Sequence, residues 1–132
     1  MDRKELAAQY RAQNYNCAQS VFCAFEDLTG LDRETSLAIC EGLGGGFRCG
    51  EICGAASGAV AAIGLIIKNK GESVLRNEKV KEITNEFTKR FTETEGHLTC
   101  RDLLASSEVK LCGKYIADAV EILESILEEK GI

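Results

Sequence analysis

The chain has 132 residues, 45% apolar and 28% charged, the make-up of one folded domain and not of a disordered chain. Sixteen Lys and Arg against 21 Asp and Glu give a net charge of −5. That balance argues against a nucleic-acid binder working through bulk positive charge and against a polybasic membrane anchor. There is no proline, and the 13 glycines are the expected helix breakers.

In chain order, a first helix is predicted over residues 4–13. The break Asn14-Tyr15-Asn16 supplies an N-cap, because an Asn side chain accepts from the free amides of the next turn. A second helix runs from Cys17 to about Leu28, with Cys17, Val21, Phe25 and Leu28 as its inner stripe, and Thr29-Gly30 ends it. Asp32 caps a third helix carrying Leu37, Ile39 and Cys40, which runs out at Gly42. The glycine-rich segment GLGGGFRCG, Gly42 to Gly50, follows.

Ile52 to Ile67 is the most apolar stretch. Its 16 residues span about 24 Å at ~1.5 Å per residue, short of the ~30 Å hydrocarbon core of a bilayer. It is therefore expected to be a buried central helix. Gly50, Gly54, Gly58 and Ala62 recur every four residues, a small-residue ridge that lets a neighbouring backbone come close. After a loop at Lys68 to Gly71 comes a charged amphipathic helix with Val80, Ile83, Phe87 and Phe91 inside. The stretch from Lys68 to Glu95 carries seven basic and six acidic residues, which suits a solvated face. Gly96 ends it. Thr99 caps a short helix with Cys100, Leu103 and Leu104, and Ser106-Ser107 breaks it. A last helix, from near Leu111 to Glu129, lines up Ile116, Val120, Leu123 and Leu127, with Ala119 and Ile126 beside them. The expectation is one all-α, cysteine-rich domain over residues 1–132: a compact bundle of about five to seven helices around a buried glycine/alanine-rich helix.

The seven cysteines stand at 17, 23, 40, 49, 53, 100 and 112, an odd number that leaves at least one sulfur without an intramolecular partner. Met1 is followed by Asp2, Arg3, Lys4 and Glu5, with no apolar stretch suited to a signal peptide, so a cytoplasmic location is expected. There, a cysteine-rich chain is more often redox-active or metal-binding than stapled by disulfides. Cys17, Cys53, Cys100 and Cys112 fall at helix starts. A helix start turns free amides and partial positive charge outward, which favours the thiolate. Cys49 and Cys53 form a C-x-x-x-C pair. No C-x-x-C, C-x-x-C-H or ferredoxin spacing occurs, so covalent haem attachment is not indicated.

These residues resemble the family of redox-active proteins named after its cysteine signature, C…GCAxxG…C…C. The match runs through Asn16-Cys17-Ala18-Gln19-Ser20, Gly44-Gly45-Gly46, and Cys53-Gly54-Ala55-Ala56-Ser57-Gly58. It continues through Thr99-Cys100-Arg101-Asp102-Leu103 to Cys112 and its acidic helix, covering roughly residues 14–130. The resemblance implies redox activity through these four cysteines. A similar domain occurs in a haem-bearing protein, split-Soret cytochrome, whose haem attachment motif this chain lacks. Cys23, Cys40 and Cys49 are additions to the pattern.

Other residues have plainer readings beside functional ones. Gly44-Gly45-Gly46 with Arg48 could cradle an anion, but fits no phosphate-loop pattern; the favoured reading is that the glycines let backbone pass close to Cys53. His97 is the only histidine, a candidate metal ligand or a base for Cys100. Arg101 either favours the Cys100 thiolate or sits in solvent with Asp102. Tyr15 and Asn16 read as a core contact and a cap, and Ser57 as bonded to a carbonyl one turn back.

Three functions follow. The first is thiol–disulfide exchange or electron transfer, with Cys53 attacking and Cys17, Cys100 or Cys112 resolving; it needs no cofactor and takes a partner protein or a small thiol. The second is a zinc or Fe–S site held by Cys17, Cys53, Cys100 and Cys112, with His97 as a further ligand. The third is a non-catalytic helical module that pairs as a homodimer through the glycine ridge. None of them calls for nucleic acid or a membrane span.

Overall fold

The structure, a computed structural model, describes residues 2–71 and 76–132. Residues 72–75, part of the charged stretch after Lys68, lie outside that range, as does Met1. Eight α-helices are present among the described residues: α1 (Arg3–Ala12), α2 (Cys17–Cys23), α3 (Glu26–Thr29), α4 (Arg33–Cys40), α5 (Gly54–Asn69), α6 (Arg76–Glu95), α7 (Cys100–Ala105) and α8 (Cys112–Glu129). The one β-type pairing among the described residues is an isolated antiparallel bridge between Ile52 and Thr99. No helix among the described residues is long and apolar enough to cross a membrane.

The helix boundaries follow from capping chemistry. Asp2, Asn16, Asp32 and Thr99 each accept a hydrogen bond from a backbone amide three residues on. At Asn16 the arrangement is reciprocal, because the Gln19 side chain accepts from the Asn16 amide at 2.9 Å. Gly30, Gly71 and Gly96 stop their helices in the left-handed region, with φ of +73°, +85° and +89°.

All seven expected helices occur, but the second is split. Between α2 and α3 the amides of Ala24 and Phe25 bond back three residues, to Val21 and Phe22, and Phe25 leaves helical geometry. The cause is burial. Ser20 through Phe25 are six consecutive residues at most 2% exposed, and a regular helix cannot turn six neighbours inward. The third helix occurs with its Asp32 cap, and its inner face is set by the fold. Ile39 is 47% exposed and Leu37 half-buried, while Ser36 and Cys40 face the core. Polar anchors decide that phase: Gln19 donates to the Leu37 carbonyl at 3.0 Å and Asn16 to the Cys40 carbonyl at 3.2 Å.

α5 is the centre, packed against α2, α3, α6 and α8. α6 covers it with Ile83, Phe87 and Phe91, and α8 with Ile116, Ala119, Val120 and Leu123, all 2% exposed or less. α2–α3 lies beside α5 in the same direction. Its start meets Gly54 at Cys17, and its end is tied to Asn69, whose side-chain amide donates to the carbonyls of Leu28 (2.9 Å) and Thr29 (2.8 Å). The small-residue ridge makes this approach possible, and α2 of the same chain occupies it. A Cβ on Gly58 would stand 2.5 Å from the Ala18 carbonyl oxygen, and one on Gly54 3.1 Å from the Cys17 Cβ. Gly50 does not extend the ridge; it lies before α5, with φ +79°.

Gly58→Ala is expected to destabilise the protein by roughly 1–3 kcal/mol, since the obstructing atoms are backbone and must move apart. Gly64→Ala, where a Cβ meets nothing within 4 Å, is expected to be neutral or stabilising. Urea denaturation of the two variants side by side checks both.

A carboxyl pair ties the end of α6 to the first turns of α8. The Glu95 side chain is 1% exposed, and Lys114 reaches both its Oε2 (2.8 Å) and Asp118 Oδ2 (2.9 Å). Glu95 Oε1 has no partner while the group is ionised. Burial, then a shared hydrogen bond with Asp118, pushes the Glu95 carboxyl up to about 7. Because its folded value lies above the ordinary 4.5, its contribution to stability is complete below pH 4.5 and is lost as pH rises through 7. Asp118, held down by Glu95, Lys114 and Lys4 against the effect of its own burial, titrates below that window. Glu95→Gln is expected to flatten the fall in melting temperature between pH 4.5 and 7; an unchanged slope would show that another group governs it.

Candidate functional site

The four signature cysteines sit where the sequence places them, at helix starts. Cys17, Cys100 and Cys112 are the first residues of α2, α7 and α8, and Cys53 is the N-cap of α5. The structure adds that the four starts converge. All four side chains line one cavity of about 230 Å³, together with Arg11, Asn16, Gly45, Arg48, Gly54, Leu103, Leu104, Lys110 and Tyr115.

Two close approaches build it. The α2–α5 contact sets Cys17 against Gly54. A short antiparallel run then joins residues 51–53 to 98–100. The Cys53 amide donates to the Leu98 carbonyl at 2.9 Å, and the Cys100 amide to the Glu51 carbonyl at 2.6 Å. The glycine segment fits around both contacts. A Cβ on Gly44 would lie 2.7 Å from the Asn16 side chain, and one on Gly46 would lie 2.8 Å from the Cys100 Cβ. Gly44 and Gly46 thus permit a close approach, as expected of this segment, but to Asn16 and Cys100 and not to Cys53, while Gly45 serves the turn alone. The chain also turns left-handed through four residues: Gly45, Gly46, Phe47 and Arg48 have φ between +60° and +65°. For Phe47 and Arg48 that conformation costs about 1–2 kcal/mol each. It brings Arg48 to the cavity, held by two hydrogen bonds to the Glu41 carbonyl.

The thiols are not equivalent. Cys17 and Cys112 line the cavity together, and the interaction of one sulfur with the other is the first cause of both their shifts. It pushes the Cys17 thiol well above the ordinary range and holds Cys112 down to about 6. Burial opposes the lowering at Cys112, while Arg11, Lys110 and its own backbone amide support it. Of the two, Cys112 is the one shifted toward the thiolate form. Cys53 is 5% exposed, and burial pushes it up to about 11 although the amides of Ala55 and Ala56 pull the other way. Burial, then the Cys112 charge, also raises Cys100. A helix start alone thus does not rank these thiols; desolvation at Cys53 outweighs its amides, and at Cys112 the neighbouring Cys17, then the cations Arg11 and Lys110, outweigh burial.

The remaining candidates lie elsewhere. Cys23 and Cys40 are buried in the core, where burial raises them to about 11 and about 12. Cys49 is exposed, does not line the cavity, and its thiol points to the Gly46 carbonyl at 3.6 Å. His97 is exposed and outside the cavity lining. Arg101 pairs with Glu51 at 2.8 Å, away from the Cys100 thiol. Ser57 bonds back to the Gly54 carbonyl at 3.3 Å, as expected. Among the described residues no three His, Cys, Asp or Glu side chains are grouped as metal ligands. The residues unread in the sequence are Arg11, Lys110 and Tyr115. Lys110 stands two residues before Cys112 and was open to a charge argument; Arg11 and Tyr115 reach the cavity only through the packing of α1 and α8.

Residues 15–126 match the family model described as "Putative redox-active protein (C_GCAxxG_C_C)". The chain belongs to this C_GCAxxG_C_C family of redox-active proteins. No curated protein and no solved structure matches it significantly.

Alkylation by iodoacetamide, followed by peptide mass, is expected to label Cys112 first, with a rate that titrates near pH 6. Cys17→Ala removes the neighbouring sulfur and is expected to move that titration upward, toward the ordinary value of 9.0. If Cys53 is labelled before Cys112, the ranking is wrong.

Proposed function

We propose that the protein exchanges thiols with disulfides, with Cys112 as the attacking thiolate and Cys17 as the resolving thiol. The observation that carries this reading is the convergence of these two sulfurs on one cavity beside two cations, Arg11 and Lys110. A thiol at about 6 is about nine-tenths ionised at pH 7 and remains a good nucleophile.

In the reductive direction the Cys112 thiolate attacks one sulfur of a substrate R–S–S–R. A Cys112–S–S–R bond forms, the substrate S–S bond breaks, and R–S⁻ leaves. Cys112 is now neutral, so the charge that raised the Cys17 thiol is gone. Cys17 gives its proton to the departing thiolate or to water and attacks the Cys112 sulfur. The Cys17–Cys112 disulfide forms and a second R–S⁻ is released. The substrate gains two electrons; the protein, already ionised at Cys112, loses two electrons and the single proton of Cys17. A reducing thiol returns the pair to the starting state by the reverse exchange. Cys53 and Cys100 line the same cavity, but burial raises both thiols and makes them poor substitutes for Cys17 in resolving the mixed disulfide. Attack by Cys53, the role its helix start suggests, is disfavoured by its burial.

Mild oxidation of the reduced protein is expected to remove two hydrogens from the intact mass, with peptide mapping naming Cys17–Cys112. Cys17→Ala is expected to accumulate the mixed disulfide on Cys112, and Cys53→Ala to leave Cys17–Cys112 formation within about threefold of wild type. A disulfide that excludes Cys112 in the native fold would overturn the assignment.

A further inference from the structure

We infer that the disulfide taken by this cavity is a small anionic one, of low molecular weight and bearing carboxylate or phosphate groups. This rests on the exchange reading above and adds the substrate class to it.

The charge around the cavity runs against the rest of the molecule. The chain as a whole is at −5, yet Arg11, Arg48 and Lys110 line the cavity and, among the described residues, no Asp or Glu does. Among the described residues none of these three cations is paired with a carboxylate. Arg11 spends one nitrogen on the Tyr15 carbonyl, and Arg48 spends Nε and Nη2 on the Glu41 carbonyl. The remaining donors are available to a ligand.

Two of the cations, Arg11 and Lys110, also serve to stabilise the Cys112 thiolate. Arg48 is not among the groups that do so, although the chain holds it at the cavity in a left-handed conformation that its side chain disfavours. Its presence fits recognition of an anion. Size points to a small molecule. About 230 Å³ lies just below the ~300–1,000 Å³ usual for small-ligand sites and matches one half of a compact disulfide. Leu103, Leu104 and Tyr115 supply apolar wall for the carbon chain beside the sulfur. A cleft lined by one sign of charge raises the encounter rate of the opposite sign by ~10-fold or more at low salt.

The test oxidises the fully reduced, full-length protein with three probes: oxidised glutathione (anionic), bis(2-hydroxyethyl) disulfide (neutral) and cystamine (cationic). Each rate is divided by the same probe's rate with 2-mercaptoethanol, which removes differences in intrinsic reactivity. The expected order is anionic, neutral, cationic, with oxidised glutathione ahead of the neutral probe by about tenfold or more at low ionic strength. That advantage is expected to shrink toward parity at about 1 M salt. Arg48→Gln and Lys110→Gln, both at exposed positions, are each expected to lower the anionic-to-neutral ratio several-fold. Because the ratio is taken within each variant, a change in thiolate reactivity cancels. Oxidation by all three probes with ratios within twofold, or a preference for cystamine, overturns the inference and leaves thiol exchange standing. Failure of all three probes to oxidise Cys112 overturns the exchange reading and this inference with it.

Discussion

The backbone of α2 lies against the backbone of α5 because Gly54 and Gly58 have no Cβ. The Ala18 carbonyl oxygen stands where a side chain on Gly58 would begin. Most of the site depends on that contact. It sets the starts of two helices side by side, and each start carries a signature cysteine. Two helices running in the same direction need a connection that returns the chain to its origin. α4 and the glycine turn make that return, and the turn then closes over the cysteines it has brought together. The contact is exchanged for backbone freedom elsewhere: Gly45 and Gly46 take left-handed angles and carry Phe47 and Arg48 into the same region at some cost.

Asn16 shows how closely local and tertiary roles are joined. Its side-chain oxygen accepts from the Gln19 amide and starts α2. Its side-chain amide donates to the carbonyls of Cys40 and Glu41, which end α4. Its carbon atoms touch the place a Gly44 side chain would fill. One residue therefore caps two helices and seats the glycine turn, directly beside Cys17.

The electrostatics of the cavity come from position more than from residue type. Four thiols at helix starts share the same local dipole argument, yet they separate in acidity. Cys53 is desolvated and rises, Cys17 beside the Cys112 sulfur rises, and Cys112 beside Cys17, Arg11 and Lys110 falls. In the proposed exchange, a mixed disulfide at Cys112 removes the charge that raises the Cys17 thiol. A protein with an acidic surface thus keeps a small cationic chamber around its most acidic thiol, which suits both the thiolate and an anionic visitor.

By itself the sequence determined most of the local structure. The caps at Asn16, Asp32 and Thr99, the glycine stops, the apolar stripe of α8 and the buried α5 are short-range features, set by residues within a turn or two of each other. The family signature is of the same kind: cysteines at helix starts, readable one at a time. Tertiary structure decided what those pieces do together. The break in α2–α3 came from burying six consecutive residues, and the phase of α4 from Gln19 and Asn16 reaching across to it. The glycine ridge, legible as a close-packing surface, could have served another chain; only the fold gave it to α2. The choice of Cys112 over Cys53 was likewise out of reach. Acidity depends on which sulfur, cation and carbonyl face one another across 17–112 and 11–112, and those distances are set by packing and not by spacing along the chain.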